Sequence, residues 1–365
     1  MPKADRAREQ ILRLRRQLLD WYERNRRDLP WRETSDPYAI WVSEIMLQQT
    51  RVAVVIDRYH AFLAAFPTLL SLALSPEQEV LALWSGLGYY NRARLLRKAA
   101  QFVVSEMGGN LPRTAAELHK LPGIGPYTAA AIASIAHGEP VAVVDGNVDR
   151  VLCRLSGWEA GSRAAGAATR RKVETLAAQL VDPARPGDFN QALMELGATL
   201  CLPRNPLCAQ CPVAANCKTK GEHQTAPRPP MLSREVAHAL SVRIGRQPGS
   251  AHREVLLEQR PAELTVMPGM WELPILRDAS VPEADLRMTL RHAIMQVNYY
   301  VRIRTVFEDD VDTMSPPGGE RRWVPLGEAA TMALTGLARK VLARAHLLPT
   351  APLDEIVPQD KEDVL

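Results

Sequence analysis

The sequence predicts an all-α N-terminal part followed by an α+β C-terminal domain. Residues 1–217 carry the caps and breaks of successive helices. A polar, proline-rich stretch at 218–234 interrupts this pattern, and strand-like alternation of apolar residues follows it. A chain of 365 residues exceeds one ordinary domain, so we expect two or three compact units.

Helix signals recur along the N-terminal part. Ile11–Glu23 is predicted to be an amphipathic helix, because the arginine-rich N-terminus also carries acidic residues and lacks the apolar core of a secretion signal. Asp36 and Pro37 supply an N-cap and a first-turn proline. The remaining boundaries are a helix start at 76–79, a helix end at 108–109, helices at 129–137 and 170–181, and an alanine-rich loop at 161–168.

A tight hairpin between two helices is predicted at residues 121–128, which read Leu-Pro-Gly-Ile-Gly-Pro-Tyr-Thr. Thr114 and Glu117 form a Thr-x-x-Glu capping box that opens the first helix. Gly123 and Gly125 are expected to supply backbone with φ > 0, and the proline that follows begins the second helix. Such a hairpin directs backbone N–H groups outward at a helix N-terminus, which favours binding of a phosphate.

Two carboxylates are candidates for acid and charge-stabilising roles. Glu44 lies among apolar neighbours in segment 41–50, and burial there would raise its pKa and keep a proton available. Asp145 ends an apolar run at 141–144 and is the predicted N-cap of a helix over 147–155, which keeps it ionised. An exposed helical glutamate and a plain structural cap are the alternatives.

Four of the five cysteines cluster with the spacing 6-2-5. In a chain without a secretion signal, such a cluster favours metal ligation over disulfides, and the spacing by itself leaves zinc and iron–sulfur open. The predicted ligands are Cys201, Cys208, Cys211 and Cys217. Cys153, on the helix after Asp145, is expected to be a small buried apolar residue.

Charge is distributed unevenly along the chain. Residues 1–220 hold 28 lysines and arginines against 21 acidic residues, whereas the remaining residues hold 17 against 20. A moderately basic front half suits a polyanionic partner, because cationic side chains release counterions from nucleic acid. No segment has the unbroken apolar length of a membrane span.

The C-terminal part has the signals of a mixed domain. Residues 236–244, 254–259 and 298–307 are predicted strands. A helix at 338–345 follows the segment Trp323–Pro325 near the end of this domain. The acidic, proline-containing residues after 348 are expected to be disordered.

These motifs together resemble the helix-hairpin-helix DNA glycosylases, and within them the adenine DNA glycosylase (MutY) family, over nearly all of residues 20–217. Met267–Pro274 resembles the start of the core of that family's Nudix-like domain. The resemblance implies a catalytic region at 1–217 (a six-helix barrel at about 30–140, and a cluster domain from 1–29 and 141–217), a linker at 218–234, a Nudix-like lesion-recognition domain at 235–348, and a disordered acidic tail at 349–365.

The resemblance also implies base excision repair, in which adenine opposite 8-oxoguanine or guanine is cut from double-stranded DNA. Glu44 would protonate N7 of adenine, Asp145 would support the oxocarbenium-like sugar, and Asn147 would belong to the same catalytic group. Tyr127 occupies the position where the lyase branch of the fold carries a Schiff-base lysine, which implies a monofunctional enzyme. The cysteine spacing matches the 4Fe–4S loop of these families.

Residues that contact DNA are implied in the same way. The turn 86–90 presents Tyr89 as an intercalating wedge, although a core aromatic is the alternative, and Gln49 would wedge beside the opposite base. Arginines after Tyr89 are expected to bind phosphates. The positions that would line the adenine pocket are Trp31, Arg32, Leu47 and Gln191. His292 begins the segment 292–296, the nearest match to the family's 8-oxoguanine loop, which here lacks the serine and the second histidine.

Three alternative functions stay open at this point. The first is a glycosylase of the same fold with another specificity, either for thymine mismatches or like endonuclease III. The second is a Nudix pyrophosphohydrolase, but the chain lacks the required glutamate array after Pro274. The third is a non-catalytic iron–sulfur DNA-binding protein. The preferred interpretation predicts a monomer that acts on DNA in the bacterial cytoplasm, associated with the nucleoid, without a membrane partner or targeting signal.

Overall fold

The computed structural model describes residues 3–158, 166–223, 230–245, 252–307, 310 and 313–348. The chain divides into two compact units. The first unit comprises Met1–Gln49 and Lys98–Pro227, and the second comprises Thr50–Arg97 and Arg228–Leu365. The division falls twice within the predicted helical part, so the second unit contains helices as well as the sheets.

The first unit is helical, as predicted. Its helices are α1 (Lys3–Asn25), α2 (Pro37–Leu47), α7 (Ala115–Leu118), α8 (Pro126–His137), α9 (Gly146–Ser156), α10 (Gly166–Leu180) and α11 (Pro186–Thr199). Helix α6 (Asn91–Glu106) crosses the division between the units. Helix α11 packs on α1, α8 and α9, and α2 packs on α8. The core that these contacts bury includes Leu18, Leu152 and Phe189, and Cys153 is buried in it as predicted.

Local capping signals are confirmed with one difference. Asp36 accepts a hydrogen bond from the Tyr38 backbone N–H at 3.0 Å and Pro37 opens α2. Thr114 caps α7 by accepting from the Glu117 N–H at 3.3 Å. In the predicted capping box, the Glu117 carboxylate would accept from the Thr114 backbone N–H. It accepts instead from the Thr114 hydroxyl at 2.8 Å.

The boundary of α10 differs from the prediction. The helix begins at Gly166, so residues 166–168 of the predicted loop are helical, and residues 161–165 lie outside the described part of the chain. A run of small residues gives no strong local helix signal, and the helix is stabilised by its apolar side packed on the core, where Val173 and Ala177 are buried.

The second unit combines helices with two sheets. Its helices are α3 (Val52–Ala65), α4 (Leu69–Leu74), α5 (Glu77–Leu83), α12 (Leu326–Thr331) and α13 (Gly336–Arg344). Its strands are β1 (Leu232–Leu240), β2 (Val242–Ile244), β3 (Arg253–Gln259), β4 (Trp271–Glu272), β5 (Leu286–Ile294), β6 (Val297–Thr305) and β7 (Arg321–Pro325). One sheet has the order β1-β6-β5, with β1 parallel to β6, and the other has β3 between β7 on one side and β2 and β4 on the other.

The three predicted strands are present, with shifts that tertiary pairing explains. The strand predicted at 236–244 is two strands, since the chain passes from one sheet to the other at Ser241. Leu232 pairs with Val297, so β1 extends into the predicted linker. Strand β5 was missed, because most of its residues are exposed on one face and its partner β6 supplies the pairing.

The predicted linker at 218–234 is described only in part, and the predicted tail at 349–365 is not described. The residues at 224–229 of the linker and the tail at 349–365 lie outside the described part of the chain. Within the part that is described, no helix combines the length and apolar character needed to cross a membrane.

Candidate active site

Glu44 is a buried carboxyl group in the first unit. It lies near the end of α2, in which every residue from Tyr38 to Met46 is buried, and only 5% of its surface is exposed. Burial, with a smaller contribution from the negative charge of Asp145, raises the pKa of Glu44 from its usual 4.5 to about 7, against the opposing effects of Tyr127 and Arg32. The predicted burial and raised pKa are therefore found, and the group is about half protonated at neutral pH.

Tyr127 holds the Glu44 carboxyl group in place. It lies in the first turn of α8, and its hydroxyl donates a hydrogen bond to Glu44 Oε2 at 2.7 Å. The same hydroxyl lies 3.5 Å from Met194 Sδ. Burial raises the pKa of Tyr127 well above its usual value, and the charges of Glu44 and Asp145 add to this effect. The tyrosine is therefore a neutral hydrogen-bond donor, and it has no amine that could form an imine.

Asp145 is the N-cap of α9, as predicted. Its Oδ1 accepts hydrogen bonds from the backbone N–H groups of Asn147 at 2.9 Å and Val148 at 2.7 Å. Its Oδ2 accepts from the Asn147 side-chain amide at 2.9 Å. Arg150 in turn donates to Asn147 Oδ1 at 2.9 Å. The carboxylate is thus fixed in one orientation at the positive end of a helix.

The segment that leads into Asp145 is held by a buried asparagine that the sequence analysis missed. Asn190, on α11, accepts from the Val143 N–H at 3.1 Å and donates to the Val141 carbonyl at 2.9 Å. It also donates to the Ser134 hydroxyl at 3.0 Å. A side-chain amide supplies these backbone hydrogen bonds where no strand does. No local signal marks Asn190, because its partners lie about fifty residues away in sequence.

A second missed residue, Gly197, lets α9 approach α11 closely. A Cβ built on Gly197 would lie 2.6 Å from the Asn147 Cβ and 3.1 Å from the Asn147 Cα. Real Cβ atoms do not approach that closely, so any larger residue must displace the N-terminus of α9. Asp145 and Asn147 both belong to the region that would move.

Gly197→Ala is therefore expected to destabilise the protein by about 1–3 kcal/mol and to lower the rate at this candidate active site more than tenfold, because the carboxylate at the start of α9 is displaced. Thermal unfolding and a single-turnover rate measure the two effects. Ala198→Gly, at the exposed neighbouring position, is the matched control for a change within α11. Wild-type rates for Gly197→Ala would contradict this account.

An ionic network lies next to the Glu44 side chain. Glu195 is buried and accepts from Arg27 Nε at 2.7 Å and from Arg32 Nη2 at 2.8 Å. Burial opposes ionisation of Glu195, but the hydrogen bonds from the two arginines outweigh it and lower its pKa to about 2. Arg32 also packs over the Tyr22 ring at 5.4 Å, and its charge contributes to the pKa of Glu44. Arg32 was predicted as a pocket residue, whereas Arg27 and Glu195 were missed.

The other predicted pocket positions are in the first unit as well. Trp31 is buried in a short 3₁₀ turn, and Leu47 is half-buried at the end of α2. Gln191 is half-buried on α11, three and four residues before Met194 and Glu195, and so lies on the same side of that helix. This side of α11 therefore carries groups that contact Tyr127 and Arg32.

The hairpin before α8 is confirmed at one glycine and not at the other. Gly123 has φ 75°, as the prediction requires. Gly125 has φ −81° and ψ 172° and is the N-cap of α8, so the prediction of φ > 0 at this position was wrong. One left-handed residue is sufficient to reverse the chain, because Pro126 already fixes the first turn of the helix. No atom lies within 4 Å of a Cβ built on Gly125, so its backbone is open to a close ligand.

Comparison with known proteins decides the family. Residues 42–183 match the family described as HhH-GPD superfamily base excision DNA repair protein. A solved structure of a thermostable thymine-DNA glycosylase is 32% identical, with a TM-score of 0.54, and the match covers 59% of this chain and 98% of that one. The chain belongs to the HhH-GPD superfamily.

Curated relatives of this HhH-GPD chain carry one activity in their names. The adenine DNA glycosylase of Homo sapiens is 51% identical over 220 residues, which are 58% of this chain and 40% of the human protein. The adenine DNA glycosylase of Rattus norvegicus is 54% identical over 217 residues, which are 57% of this chain and 42% of the rat protein. The chain thus spans about two fifths of the length of these relatives.

Three of the four clustered cysteines of the HhH-GPD chain, Cys201, Cys211 and Cys217, pack against the first unit's core. Burial, with smaller contributions from the other three cysteines, raises the pKa of the Cys211 thiol to about 11. Arg154 donates to Cys201 Sγ at 3.4 Å, and Cys217 Sγ donates to the Arg154 carbonyl at 3.3 Å. In the described ranges, no three His, Cys, Asp or Glu residues are placed to hold a metal ion.

The predicted DNA-contacting residues of the HhH-GPD chain have unusual backbone conformations. Gln49 is exposed with φ 57° in the first unit. In the second unit, Tyr89 is 50% exposed with φ 47°, after Gly86 at φ 95° and Gly88 at φ 69°. We call residues 86–89 the Tyr89 turn. The alternative of a core aromatic at Tyr89 is therefore wrong, and its ring is exposed on left-handed backbone.

The arginines after Tyr89 make internal contacts. Arg92 Nη2 donates to the Leu87 and Gly88 carbonyls at 3.0 and 3.2 Å. Arg94 pairs with Glu77 at 2.8 Å, and Arg97 donates to the Ser75 carbonyl at 2.7 Å. We predicted phosphate contacts for these residues, but these hydrogen bonds join parts of the second unit to one another.

His292 and its neighbours lie on a β-hairpin of the second unit. His292 is on β5, paired with Tyr299 of β6, and burial and the charge of Lys340 lower its pKa. Met295 and Gln296 form the exposed turn between the two strands, with Met295 72% exposed. Asn298 is buried and accepts from Arg291 at 3.2 Å. The exposed tip of this loop therefore presents Met295 and Gln296.

Proposed function

We propose that this protein is a monofunctional adenine DNA glycosylase that removes adenine mispaired with 8-oxoguanine or guanine. The observation that carries the proposal is the 2.7 Å hydrogen bond from Tyr127 to the buried Glu44 carboxyl, within the field of Asp145. Two carboxyl groups in contrasting environments can divide acid catalysis and charge stabilisation between them. The names of the human and rat relatives support adenine as the base.

Glu44 supplies the proton in this mechanism. Adenine is a poor leaving group as an anion, and protonation at N7 makes it neutral as the glycosidic bond breaks. A carboxyl with a pKa of about 7 is half protonated at neutral pH and still acidic enough to donate. Tyr127 binds one oxygen of Glu44 and so fixes the orientation of the carboxyl group.

Asp145 stabilises the sugar after the bond begins to break. Positive charge develops on the deoxyribose ring, and a fixed carboxylate at the start of α9 lowers the energy of that state without reorganising. Asn147 holds the second carboxylate oxygen. Water, or first the carboxylate itself and then water, completes the hydrolysis at the sugar carbon.

The monofunctional character follows from the side chain at residue 127. A glycosylase with lyase activity needs an amine that forms an imine with the sugar, and the Tyr127 phenol cannot do this. Asp149 likewise offers no amine near the start of α9. Borohydride added during the reaction should therefore trap little protein on DNA, and efficient trapping would contradict this part of the proposal.

Single-turnover excision on matched duplexes tests the substrate. The target strands carry adenine opposite 8-oxoguanine, guanine or thymine, and a fourth duplex carries thymine opposite guanine. We expect adenine release opposite 8-oxoguanine and guanine and none opposite thymine. The ratio of the first two rates measures how well the Met295–Gln296 tip reads the lesion. If no adenine is released opposite 8-oxoguanine or opposite guanine, the proposal is overturned.

A thymine mismatch glycosylase is the second candidate. It is favoured by the solved thymine-DNA glycosylase, to which the chain is 32% identical over nearly the whole length of that structure. The thymine–guanine duplex decides between the two functions. Thymine release without adenine release would establish the second candidate in place of the first.

A 4Fe–4S cluster is the cofactor that we propose for Cys201, Cys208, Cys211 and Cys217. One zinc ion requires sulfurs about 3.8 Å apart, given Zn–S bonds of about 2.3 Å in a tetrahedron. The four thiols influence one another but are not placed around a single ion, and a cluster, which is larger, needs its ligands further apart. When bound, the cluster would tie the cysteine loop to the core around α9, and the hydrolysis needs no redox step from it.

Iron and sulfide analysis checks the cofactor. Protein purified without oxygen is expected to contain about four iron and four sulfide per chain, with visible absorption that Cys211→Ser removes. Cys153→Ala, at the buried cysteine outside the cluster, is the matched control and should retain the iron. One zinc per chain and no iron would contradict the proposal.

The domain assignment stays part of the same proposal. We assign the second unit's sheets to a Nudix-like lesion-recognition domain at 235–348, the catalytic region to 1–217 with its six-helix barrel at about 30–140, and action to a monomer. Two sheets with helices α12 and α13 packed on them are compatible with that domain.

A further inference from the structure

Both ends of the Tyr89 turn are bound to the C-terminal part of the second unit. Ser85, just before the turn, accepts a hydrogen bond from Arg339 Nε at 2.7 Å. Tyr90, just after it, donates its hydroxyl to the Leu334 carbonyl at 3.4 Å. Ser85 and Tyr90 are both buried, whereas half of the Tyr89 surface is exposed. An exposed ring thus stands between two buried attachment points.

The two helices that flank the turn are attached as well. Arg94, in the first turn of α6, donates to the Pro268 carbonyl at 2.6 Å. Gln78, on α5, donates to the Gly269 carbonyl at 3.4 Å. The segment 268–269 therefore contacts both helices that lead into and out of the turn.

The attachment points on the C-terminal side are themselves fixed. Arg339, on α13, also donates to the carbonyls of Ala330 and Met332, at 3.4 and 3.2 Å. Leu334 is fully buried, and the N–H of its neighbour Thr335 donates to the Trp271 carbonyl at 2.8 Å. The loop between α12 and α13 is thus held by strand β4 on one side and by Arg339 on the other.

We propose that the C-terminal part of the second unit positions Tyr89 for insertion into DNA, with Ser85, Tyr90 and Arg339 as positioning residues. The inference rests on the proposed function, since it assumes that Tyr89 enters the base stack. Insertion of the ring must unstack a base step, which costs free energy. A turn that is free to rearrange would move away, and the DNA would stay stacked. Left-handed backbone at Tyr89 also needs fixed flanks to persist.

The proposal assigns a second task to the sheet-containing part of the chain. Its hairpin tip is available to read the opposite base, and its α12–α13 loop holds the side chain that fills the gap left by the extruded base. Recognition and extrusion would then share one rigid support within the second unit.

The double variant Ser85→Ala/Tyr90→Phe tests this directly, because it removes both attachments and keeps Tyr89 and the bonds of Arg339 to Ala330 and Met332. We expect single-turnover adenine release to fall at least on the order of tenfold, because one lost hydrogen bond involves the charged Arg339 and the other, from Tyr90, is neutral. With 2-aminopurine at the target position, we expect a smaller rise in fluorescence on binding. The pH midpoint of the rate should stay unchanged, since neither hydroxyl contributes to the pKa of Glu44.

Controls separate this inference from folding and from the proposed function. Ser75→Ala removes another buried hydroxyl of the second unit, one that donates to the Leu72 carbonyl at 2.7 Å, and should excise like the wild type. Each single variant is measured with the double variant, so that a loss of stability in the latter does not decide the outcome. An active wild type with unchanged rate and fluorescence in the variants overturns the inference. A reduced rate with full fluorescence overturns it too, and an inactive wild type instead overturns the proposed function.

Discussion

Asp145→Asn is expected to lower the single-turnover rate of adenine release by at least 10²- to 10³-fold while the protein stays folded. Asparagine is as good an N-cap as aspartate, so its oxygen can accept from Asn147 and Val148 as Oδ1 does in the wild type. In the proposed mechanism, the substitution removes the negative charge that stabilises the positive sugar. A loss of rate with an unchanged melting temperature would separate the catalytic role of Asp145 from its structural role.

A matched control exists in the first turn of the same helix. Asp149→Asn also removes one negative charge near the N-terminus of α9, without touching the capping hydrogen bonds. Its excision rate should stay within about threefold of the wild type, because Asp149 makes none of the hydrogen bonds that fix the Asp145 carboxylate. An equal loss in both variants would mean that net charge, and not the fixed Asp145 carboxylate, supports the reaction.

Glu44→Gln is expected to lower the rate by roughly 10²- to 10⁴-fold, the usual contribution of general acid catalysis. Glutamine can still accept the hydrogen bond from Tyr127 but cannot deliver a proton. In the wild type, the rate should fall about tenfold per pH unit above pH 7, because burial places the pKa of Glu44 at about 7 and only its protonated form donates.

The same substitution should stabilise the protein at alkaline pH. Folding raises the pKa of Glu44 from 4.5 to about 7, so the folded state binds the proton more tightly than the unfolded state. Stability is therefore lost as pH rises from about 4.5 to about 7, by roughly 3 kcal/mol in total. Glutamine carries no charge at any pH. The Glu44→Gln variant should therefore unfold at a higher denaturant concentration than the wild type at pH 8, and at about the same concentration at pH 4.

Denaturant unfolding at pH 4, 6 and 8 measures this difference. Glu106→Gln, at an exposed glutamate of α6, is the control and should show no pH-dependent gain. If Glu44→Gln were no more stable than the wild type at pH 8, the carboxylate would be solvated in the native state. The pH dependence of the rate would then need another proton donor.

Elements marked by local chemistry could be predicted from the sequence. Asp145 caps α9 because its side chain reaches backbone N–H groups two and three residues later, which needs no distant partner. Glu44 is buried because the residues around it in sequence are apolar. Gly123 adopts φ > 0 in a turn whose ends are both helical. Each prediction rested on neighbours within one helical turn.

Features that depend on distant partners escaped prediction. The sequence does not show that Glu195, 168 residues after Arg27, would pair with Arg27 and with Arg32, whose charge acts on Glu44. Nor does it show that Asn190 would bind the backbone at Val141 and Val143. The internal contacts of the arginines after Tyr89 could not be predicted for the same reason, because a basic run looks alike whether it meets phosphates or carbonyls of its own fold.

Residue types and short-range spacing were sufficient to identify the helical hairpin, the capped Asp145, the buried Glu44, the tyrosine in place of a lysine, and the cysteine cluster. These signals act before the chain is folded. Which groups meet depends on the folded chain: Tyr127 contacts Glu44, α9 packs against Gly197, and the Tyr89 turn is attached at both ends. Close packing and buried hydrogen bonds select one partner from many compatible ones, and that selection exists only in the folded chain.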